Sequence, residues 1–339
     1  MVNEGSGRIR LVRNVALIAL ALAFAATSGL TAAGRASLTR SDIDQMVKSL
    51  SNWGRWGKND QLGALNLITP AKRKQAAALV NEGVSFSISH NVIKTRVLGS
   101  SAFEHEMVKT GQTPGSQNSE DRYSVQYHGF NVTHLDALCH FFHGAEMYNG
   151  FPIKEVTDKG AAKLSVINMK NGIFTRGVLM DFPRLFGVEY LKGARPIYPE
   201  DLDAWEKKAG IKVGSGDAIL IRTGRWKRYK AEGEWDALSN SSGLDVSCMP
   251  WLKKRDVAVL GSDLASDVMP SGVEGTGPGF LPVHLIAIVA LGVPILDNCD
   301  FEALSDAAAE RKRWTFLLTV APLAVEGGTG SPVNPIATF

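Results

Sequence analysis

The chain has 339 residues, of which 45% are hydrophobic and 21% charged, and this balance excludes a collagen-like, wholly disordered or disulfide-scaffold protein. Its formal net charge of +3 is carried by residues 1–36, where four arginines face one glutamate, so the remainder is neutral. A neutral body argues against nucleic-acid binding, which needs a basic surface, and we expect a small-molecule substrate.

The N-terminal residues 1–36 predict an export signal. Three arginines precede the apolar run from Val15 to Ala26, and the small residues TAAGRA follow, as in a secretory signal peptide. The apolar run is shorter than the roughly 20 residues that span a bilayer, although no charge lies between Arg13 and Arg35, so a membrane anchor stays the alternative. We expect an exported protein, periplasmic or secreted, that meets a membrane only through an uncleaved signal.

The rest of the chain divides into a linker, residues 37–42, and one domain, residues 43–339, because no repeat, charge block or low-complexity stretch interrupts it. Short apolar runs predict strands, several of them buried on both faces. These runs are 84–88, 178–182, 218–223, 257–261, 294–296 and 316–320.

Helical patterns lie between these runs, at residues 70–83, 199–209 and 282–291. The interleaving of strands and helices predicts an α/β fold, a single domain with a mixed β-sheet or barrel-like core flanked by helices. The segment GGTGSP (327–332) follows a strand without a helix after it, and we interpret it as a turn.

Four of the seven histidines fall between His128 and His143, in YHGFNVTHLDALCHFFHG. On a strand, His134 and Asp136 share a face about 6.6 Å apart, where imidazole and carboxylate can converge on one ion. His140 lies four residues further and keeps that face in a strand or a helix. The pattern predicts a divalent metal site suited to Zn²⁺ or Mn²⁺; the alternative is that these are ordinary core or surface histidines.

The sequence lacks the motifs of serine hydrolases, of P-loop nucleotide-binding proteins and of dinucleotide-binding enzymes. The chain has neither G-x-S-x-G nor G-x-x-x-x-G-K-[ST], and GTGPGF at 275–280 lacks the last glycine of a dinucleotide fingerprint. Cys139, Cys248 and Cys299 are widely spaced and form no C-x-x-C, so neither a disulfide framework nor a cysteine-rich zinc site is expected.

The stretch THLDALCHF (133–141) resembles the signature H-x-G-T-H-x-D-x-P-x-H of the cyclase family of metal-dependent hydrolases, which includes kynurenine formamidases and isatin hydrolases. Further similar segments follow in the family's order over nearly all of the body. They are 53–70, 216–226, 243–252, 260–263, 282–304 and 327–335. The resemblance implies a swivelling β/β/α-like fold and a homo-oligomer.

The resemblance also implies roles for single residues. His134 and Asp136 match metal ligands of the family, and His140 matches its catalytic histidine, with a third metal ligand as the alternative. His284 and Asp297 match the family's later His and Glu ligands, with Asp in place of Glu.

One position departs from the signature, because Phe130 stands where its first histidine is expected. His128 cannot replace that histidine in a regular strand, where it would lie about 20 Å from His134, unless the chain bends sharply at Gly129. We therefore expect one metal ion rather than two. Water or a residue from elsewhere in the chain would take the ligand position of the missing histidine. Phe130 and His128 are placed among the substrate-binding residues.

Trp53 and Trp56 flank a glycine-containing loop suited to covering a flat ring, and the resemblance places such a loop over the active site. The alternative is that both tryptophans pack at the domain edge.

Together these features predict an exported metal-dependent hydrolase that cleaves an amide, imide or lactone bond in a small cyclic or aromatic substrate. A lactonase rather than an amidase fits the same motif. A non-catalytic metal- or small-molecule-binding member of the family is the alternative from another class.

Overall fold

The computed structural model describes residues 37–339, so the predicted signal peptide lies outside the described residues. Thr39 forms a capping box with Asp42 and caps the first described helix, which starts at Arg40. Residues 40–42 of the predicted linker form the first turn of that helix.

Helices and strands interleave along the chain, with several short 3₁₀ turns between them. The helices are α1 (Arg40–Leu50), α2 (Pro70–Ala77), α3 (Phe182–Phe186), α4 (Pro199–Ala209), α5 (Arg225–Glu232), α6 (Met249–Arg255), α7 (Pro282–Leu285, continued by a π-helix over Ile286–Leu291) and α8 (Glu302–Arg311). The strands are β1 (Ser85–Ser87), β2 (Glu104–Lys109), β3 (Glu120–Ser124), β4 (His134–Asp136), β5 (Val156–Thr157), β6 (Gly160–Ala161), β7 (Ile173–Asp181), β8 (Pro196–Ile197), β9 (Ala218–Arg222), β10 (Gly243–Leu244), β11 (Val259–Ser262), β12 (Ile295–Asp297), β13 (Thr315–Val320), β14 (Gly330–Pro332) and β15 (Ile336–Thr338).

Within residues 37–339, nine strands form one curled, half-barrel sheet in the order β1-β15-β13-β7-β9-β11-β12-β4-β14. Strands β7, β9, β11 and β12 run parallel to one another, and the flanking strands pair antiparallel. The parallel strands β9 and β11 are buried along their whole length, as their continuous apolar runs require. The predicted mixed α/β single domain is confirmed.

The predicted helix over 70–83 ends early, at Ala77, with Ala78 as its C-cap. Beyond the helix, the N–H groups of Leu79 and Val80 donate three residues back, and those of Glu82 and Gly83 donate to the carbonyl of Phe339. No helix of the described residues has the length and apolar character needed to cross a bilayer.

The short strand β4 lies between β12 and β14 and pairs antiparallel with both. Asp297 stands opposite His134 on one side, and Gly330 stands opposite Asp136 on the other. This register brings three distant parts of the sequence to one edge of the sheet, where the parallel strands end.

A buried ion pair joins α4 to α6. The carboxylate of Glu206 accepts hydrogen bonds from Arg255 at 2.8 and 3.1 Å, from Lys212 at 2.9 Å and from the N–H of Val213 at 2.8 Å. Burial alone would raise the pKa of Glu206, but the bonds from Arg255, Val213 and Lys212 outweigh it and hold that pKa at about 2.

We predict that Glu206→Gln lowers the free energy of unfolding by about 2 kcal/mol near pH 6. The native pKa is depressed, so this contribution is fully present above the unfolded value of 4.5 and is lost as the pH falls toward 2. Urea unfolding of both proteins at pH 6 and at pH 3 should therefore show the difference shrinking. An equal difference at the two pH values would contradict this.

Candidate metal centre

Strand β4 places His134 and Asp136 on one buried face, as their two-residue spacing predicts. Nδ1 of His134 is 2.8 Å from the carbonyl of Val132, which leaves Nε2 to face Asp136 Oδ1 at 3.4 Å. Burial opposes the charge of Asp136, but His140, His134 and His128 outweigh it and hold the pKa of Asp136 below its ordinary value. The carboxylate is therefore ionised inside the protein.

Asp297 and His284 reach the same place from β12 and α7. The Nε2 atom of His284 is 3.0 Å from Asp297 Oδ2 and 3.8 Å from Asp136 Oδ2. One possible ligand atom from each of His134, Asp136 and Asp297 lies within 4.8 Å of the others. Asp297 Oδ1 is buried and has no hydrogen-bond partner among the described residues. The structure thus gathers all four residues predicted as metal ligands.

His140 lies beside this group, with Nε2 3.9 Å from Asp136 Oδ1. Burial lowers the pKa of His140 to about 4, although Asp136 opposes this, so the imidazole is neutral near pH 7. A neutral imidazole can bind a metal ion or accept a proton.

His128 is also at the site, because the chain makes the sharp bend at Gly129 that the sequence left as the one exception. The chain turns back at Gly129, whose φ is +151°, and brings the His128 and His134 ring centroids to 5.3 Å. The His128 ring stacks on that of His140 at 3.7 Å, and its Nδ1 is 2.9 Å from Asp136 Oδ1. His128, Asp136 and His140 therefore form a second group of possible metal ligands.

The C-terminal segment GGTGSP holds His128 in place and is not only a turn. Thr329 Oγ1 is 3.0 Å from Nε2 of His128, so Nδ1 faces Asp136. A Cβ atom at Gly330 would lie 2.5 Å from the carbonyl oxygen of Leu135 and 3.0 Å from Cε1 of His128. Residues 330–332 form β14, which sequence reasoning missed because glycine and proline are depleted in strands.

Phe130 lies apart from the histidines. It packs against the buried cluster that contains Leu98 and Leu264, and it lines a cavity of about 410 Å³ together with Leu98, Ser100 and Trp235. Its N–H donates to Ser100 Oγ, and its carbonyl accepts from Arg225. Phe130 is thus a wall of a cavity, and its contact with a substrate stays a prediction.

The loop with Trp53 and Trp56 is attached to the helices of the domain. Trp53 Nε1 donates to the carbonyl of Val289 at 2.7 Å, and Arg55 stacks on Trp56 while pairing with Asp256 at 2.7 Å. These contacts agree with the packing alternative. A contact of either tryptophan with a substrate stays a prediction.

The three cysteines are buried, and none of them forms a disulfide in the described residues. Burial raises the pKa of Cys139 to about 12, so its thiol stays protonated and is a poor nucleophile.

Comparison with known proteins identifies the family. A family model described as "Putative cyclase" matches residues 65–267. A crystal structure of a novel cyclase matches with a TM-score of 0.77 and 30% sequence identity, over 86% of this chain and 99% of that chain. The chain belongs to the cyclase family. The resemblance inferred from the signature is confirmed.

Isatin hydrolases share the fold of this cyclase-family protein. One, bound to the product analogue thioisatinate, matches with a TM-score of 0.54 and 18% identity over 78% of this chain and 94% of that chain. Isatin hydrolase A from Labrenzia aggregata, bound to benzyl benzoate, matches with a TM-score of 0.54 and 20% identity over 77% and 94%. The comparison with curated proteins found no match.

We predict that Gly129→Ala destabilises the protein by about 1–3 kcal/mol, because a side chain at this positive φ is strained and its Cβ would lie 2.7 Å from Ser100 Oγ. Chemical unfolding measures the loss, and a crystal structure should show Nδ1 of His128 displaced from Asp136. Gly111→Ala is the control, because nothing lies within 4 Å of its Cβ position. An equal free energy of unfolding for the two variants would show that the bend at Gly129 does not require glycine.

Proposed function

We propose that this cyclase-family protein is a metal-dependent hydrolase, with Zn²⁺ or Mn²⁺ held by His134, Asp136, Asp297 and His284. The supporting observation is that Asp297 Oδ1 is buried without a hydrogen-bond partner among the described residues, close to the buried carboxylate of Asp136. A buried carboxylate oxygen without a partner destabilises the fold, and a bound cation offsets that cost.

The spacing of the ligand atoms also fits a cation. Two atoms that each bind one Zn²⁺ at about 2.1 Å in tetrahedral geometry lie about 3.4 Å apart. Nε2 of His134 and Oδ1 of Asp136 are separated by 3.4 Å. Imidazole and carboxylate are ligands of both Zn²⁺ and Mn²⁺, so the donor set agrees with either.

A divalent cation bound there lowers the pKa of water toward neutrality and polarises a carbonyl group. His140 accepts the proton that water loses when its oxygen bonds to the acyl carbon of the substrate. The same imidazole then gives the proton to the departing nitrogen or oxygen, which balances the hydrolysis. The stacked ring of His128 fixes the plane of His140 for both transfers.

The proposed substrate is a small cyclic or aromatic amide, imide or lactone. The isatin hydrolases of similar fold were solved with thioisatinate and benzyl benzoate, both of which carry aromatic rings. Phe130, His128, Trp53 and Trp56 are the proposed substrate contacts, because apolar and aromatic walls with few polar groups suit a small ring. A lactonase belongs to the same proposal, since activated water attacks either acyl bond.

Export and self-association are part of the proposal. The pattern of residues 1–36 supports a periplasmic or secreted location. Membership of the cyclase family supports a homo-oligomer. A non-catalytic binding protein is the second candidate, and Phe130 favours it by standing where the signature has a histidine.

We predict that the purified protein carries stoichiometric zinc or manganese in elemental analysis. It should hydrolyse at least one of N-formylkynurenine, isatin, a cyclic imide or a lactone, lose that activity to a chelator and regain it when metal is restored. Stoichiometric metal without activity on the whole panel would favour the binding protein. A metal-free protein with activity unaffected by chelator would contradict the proposal.

We predict that His140→Ala lowers kcat by about 10²–10⁴-fold while the metal content stays unchanged, because proton transfer is lost and the ligands remain. His143→Ala is the matched control, since His143 lies in the same loop and faces Asp44 at 3.6 Å. Loss of metal in His140→Ala would instead indicate that His140 is a metal ligand. Full activity of this variant would contradict its role in proton transfer.

A further inference from the structure

Asp267 is a buried carboxylate that the sequence did not single out, and its two oxygens bind the first turn of α7. Its Oδ1 accepts the N–H of Val283 at 2.7 Å, and its Oδ2 accepts the N–H of His284 at 3.2 Å. Oδ2 also lies 2.5 Å from Nδ1 of His284. One carboxylate therefore binds both the first turn of α7 and the ring of the histidine which that turn carries.

The two nitrogens of His284 have different surroundings. Nδ1 faces Asp267, whereas Nε2 faces Asp297 at 3.0 Å and Asp136 at 3.8 Å. A hydrogen on Nδ1, donated to Asp267, leaves the Nε2 lone pair directed at the two carboxylates of the proposed metal site. Without Asp267 the ring could rotate or adopt the other tautomer.

The backbone around Asp267 is fixed by β10. The N–H of Leu244 donates to the carbonyl of Ser266 at 2.8 Å, and the N–H of Val268 donates to the carbonyl of Leu244 at 3.0 Å. Gly243 passes so close that a Cβ there would lie 2.3 Å from the carbonyl oxygen of Asp267. Asp267 is therefore held from both sides, so its carboxylate has little freedom to follow a moving ring.

We propose that Asp267 is a positioning residue of the metal centre, which presents Nε2 of His284 to the cation. Metal-binding histidines commonly donate their other N–H to a carboxylate, and loss of such a partner costs about 10–100-fold in metal affinity. This inference rests on the proposed cation site. Neither the sequence signature nor the comparison of folds assigns a role to Asp267 there.

The first experiment measures Zn²⁺ and Mn²⁺ affinity by calorimetry on metal-stripped protein. We expect Asp267→Asn to bind the metal about 10–100-fold more weakly than wild type, because the amide offers a single acceptor oxygen where the carboxylate offers two. Asp245→Asn is the matched control: Asp245 caps the turn Val246–Cys248 through the N–H of Ser247 at 2.9 Å. Its metal affinity should equal that of wild type.

A second measurement needs no variant of Asp267. In metal-loaded wild type labelled with ¹⁵N-histidine, the His284 signals, assigned by their loss in His284→Gln, should show Nδ1 protonated and Nε2 bound. Metal bound through Nδ1 would overturn the proposal even if Asp267→Asn does not fold. A folded Asp267→Asn with wild-type metal affinity would also overturn it. Wild type that binds no metal would instead contradict the proposed function itself.

Discussion

The buried carboxylate of Asp136 is the constraint around which this end of the molecule is built. Only 1% of the side chain is exposed, yet His128, His134 and His140 all direct a ring nitrogen toward its Oδ1 atom, at 2.9, 3.4 and 3.9 Å. A carboxylate removed from water needs compensation from its neighbours. The three imidazoles provide part of it, and the nearby Asp297 Oδ1, which lacks a hydrogen-bond partner among the described residues, explains why a cation fits here.

Backbone pairing supports this cluster from both sides. Strand β4 exchanges ladder hydrogen bonds with β12 and with β14, so its three residues have little freedom to shift along the sheet. Thr133 Oγ1 donates to the carbonyl of Asn298 at 2.7 Å, and Asn298 Nδ2 donates back to the carbonyl of Val132 at 3.3 Å. These links tie the start of β4 to the end of β12, and the distance between His134 and Asp297 is set by the sheet.

The local sequence pattern predicts the central strands and two of the four proposed metal ligands. Runs such as AILIR (218–222) are apolar on both faces, which identifies strands in the middle of a sheet. The alternation of a strand put His134 and Asp136 on one face before any tertiary contact was known. His284 and Asp297 required the family resemblance, because the register of β12 against β4 is set by residues more than 150 positions apart.

The remaining parts of the site depend on contacts that no short pattern contains. His128 joins the cluster through the turn at Gly129 and through Thr329, about 200 residues later in the chain. Asp267 depends on the close approach of Gly243 and on the start of α7. Gly129 permits a turn against the side chain of Ser100, and Gly243 lets two backbones meet. Neither glycine lies in a distinctive local motif, and propensity carries no information about such contacts.

The position of His128 changes how the departure at Phe130 should be interpreted. Judged from the signature alone, a phenylalanine in place of a histidine removes one nitrogen from the site and favours loss of catalysis. In the folded chain an imidazole is nevertheless present, two residues earlier, with Nδ1 2.9 Å from the central carboxylate. The phenyl ring is packed with Leu98 and Leu264 in a cavity wall, so the substitution adds an apolar surface while the nitrogen is supplied by its neighbour. Three buried or half-buried histidines therefore surround one carboxylate, and this arrangement of nitrogen and oxygen atoms suits a cation despite the phenylalanine in the signature.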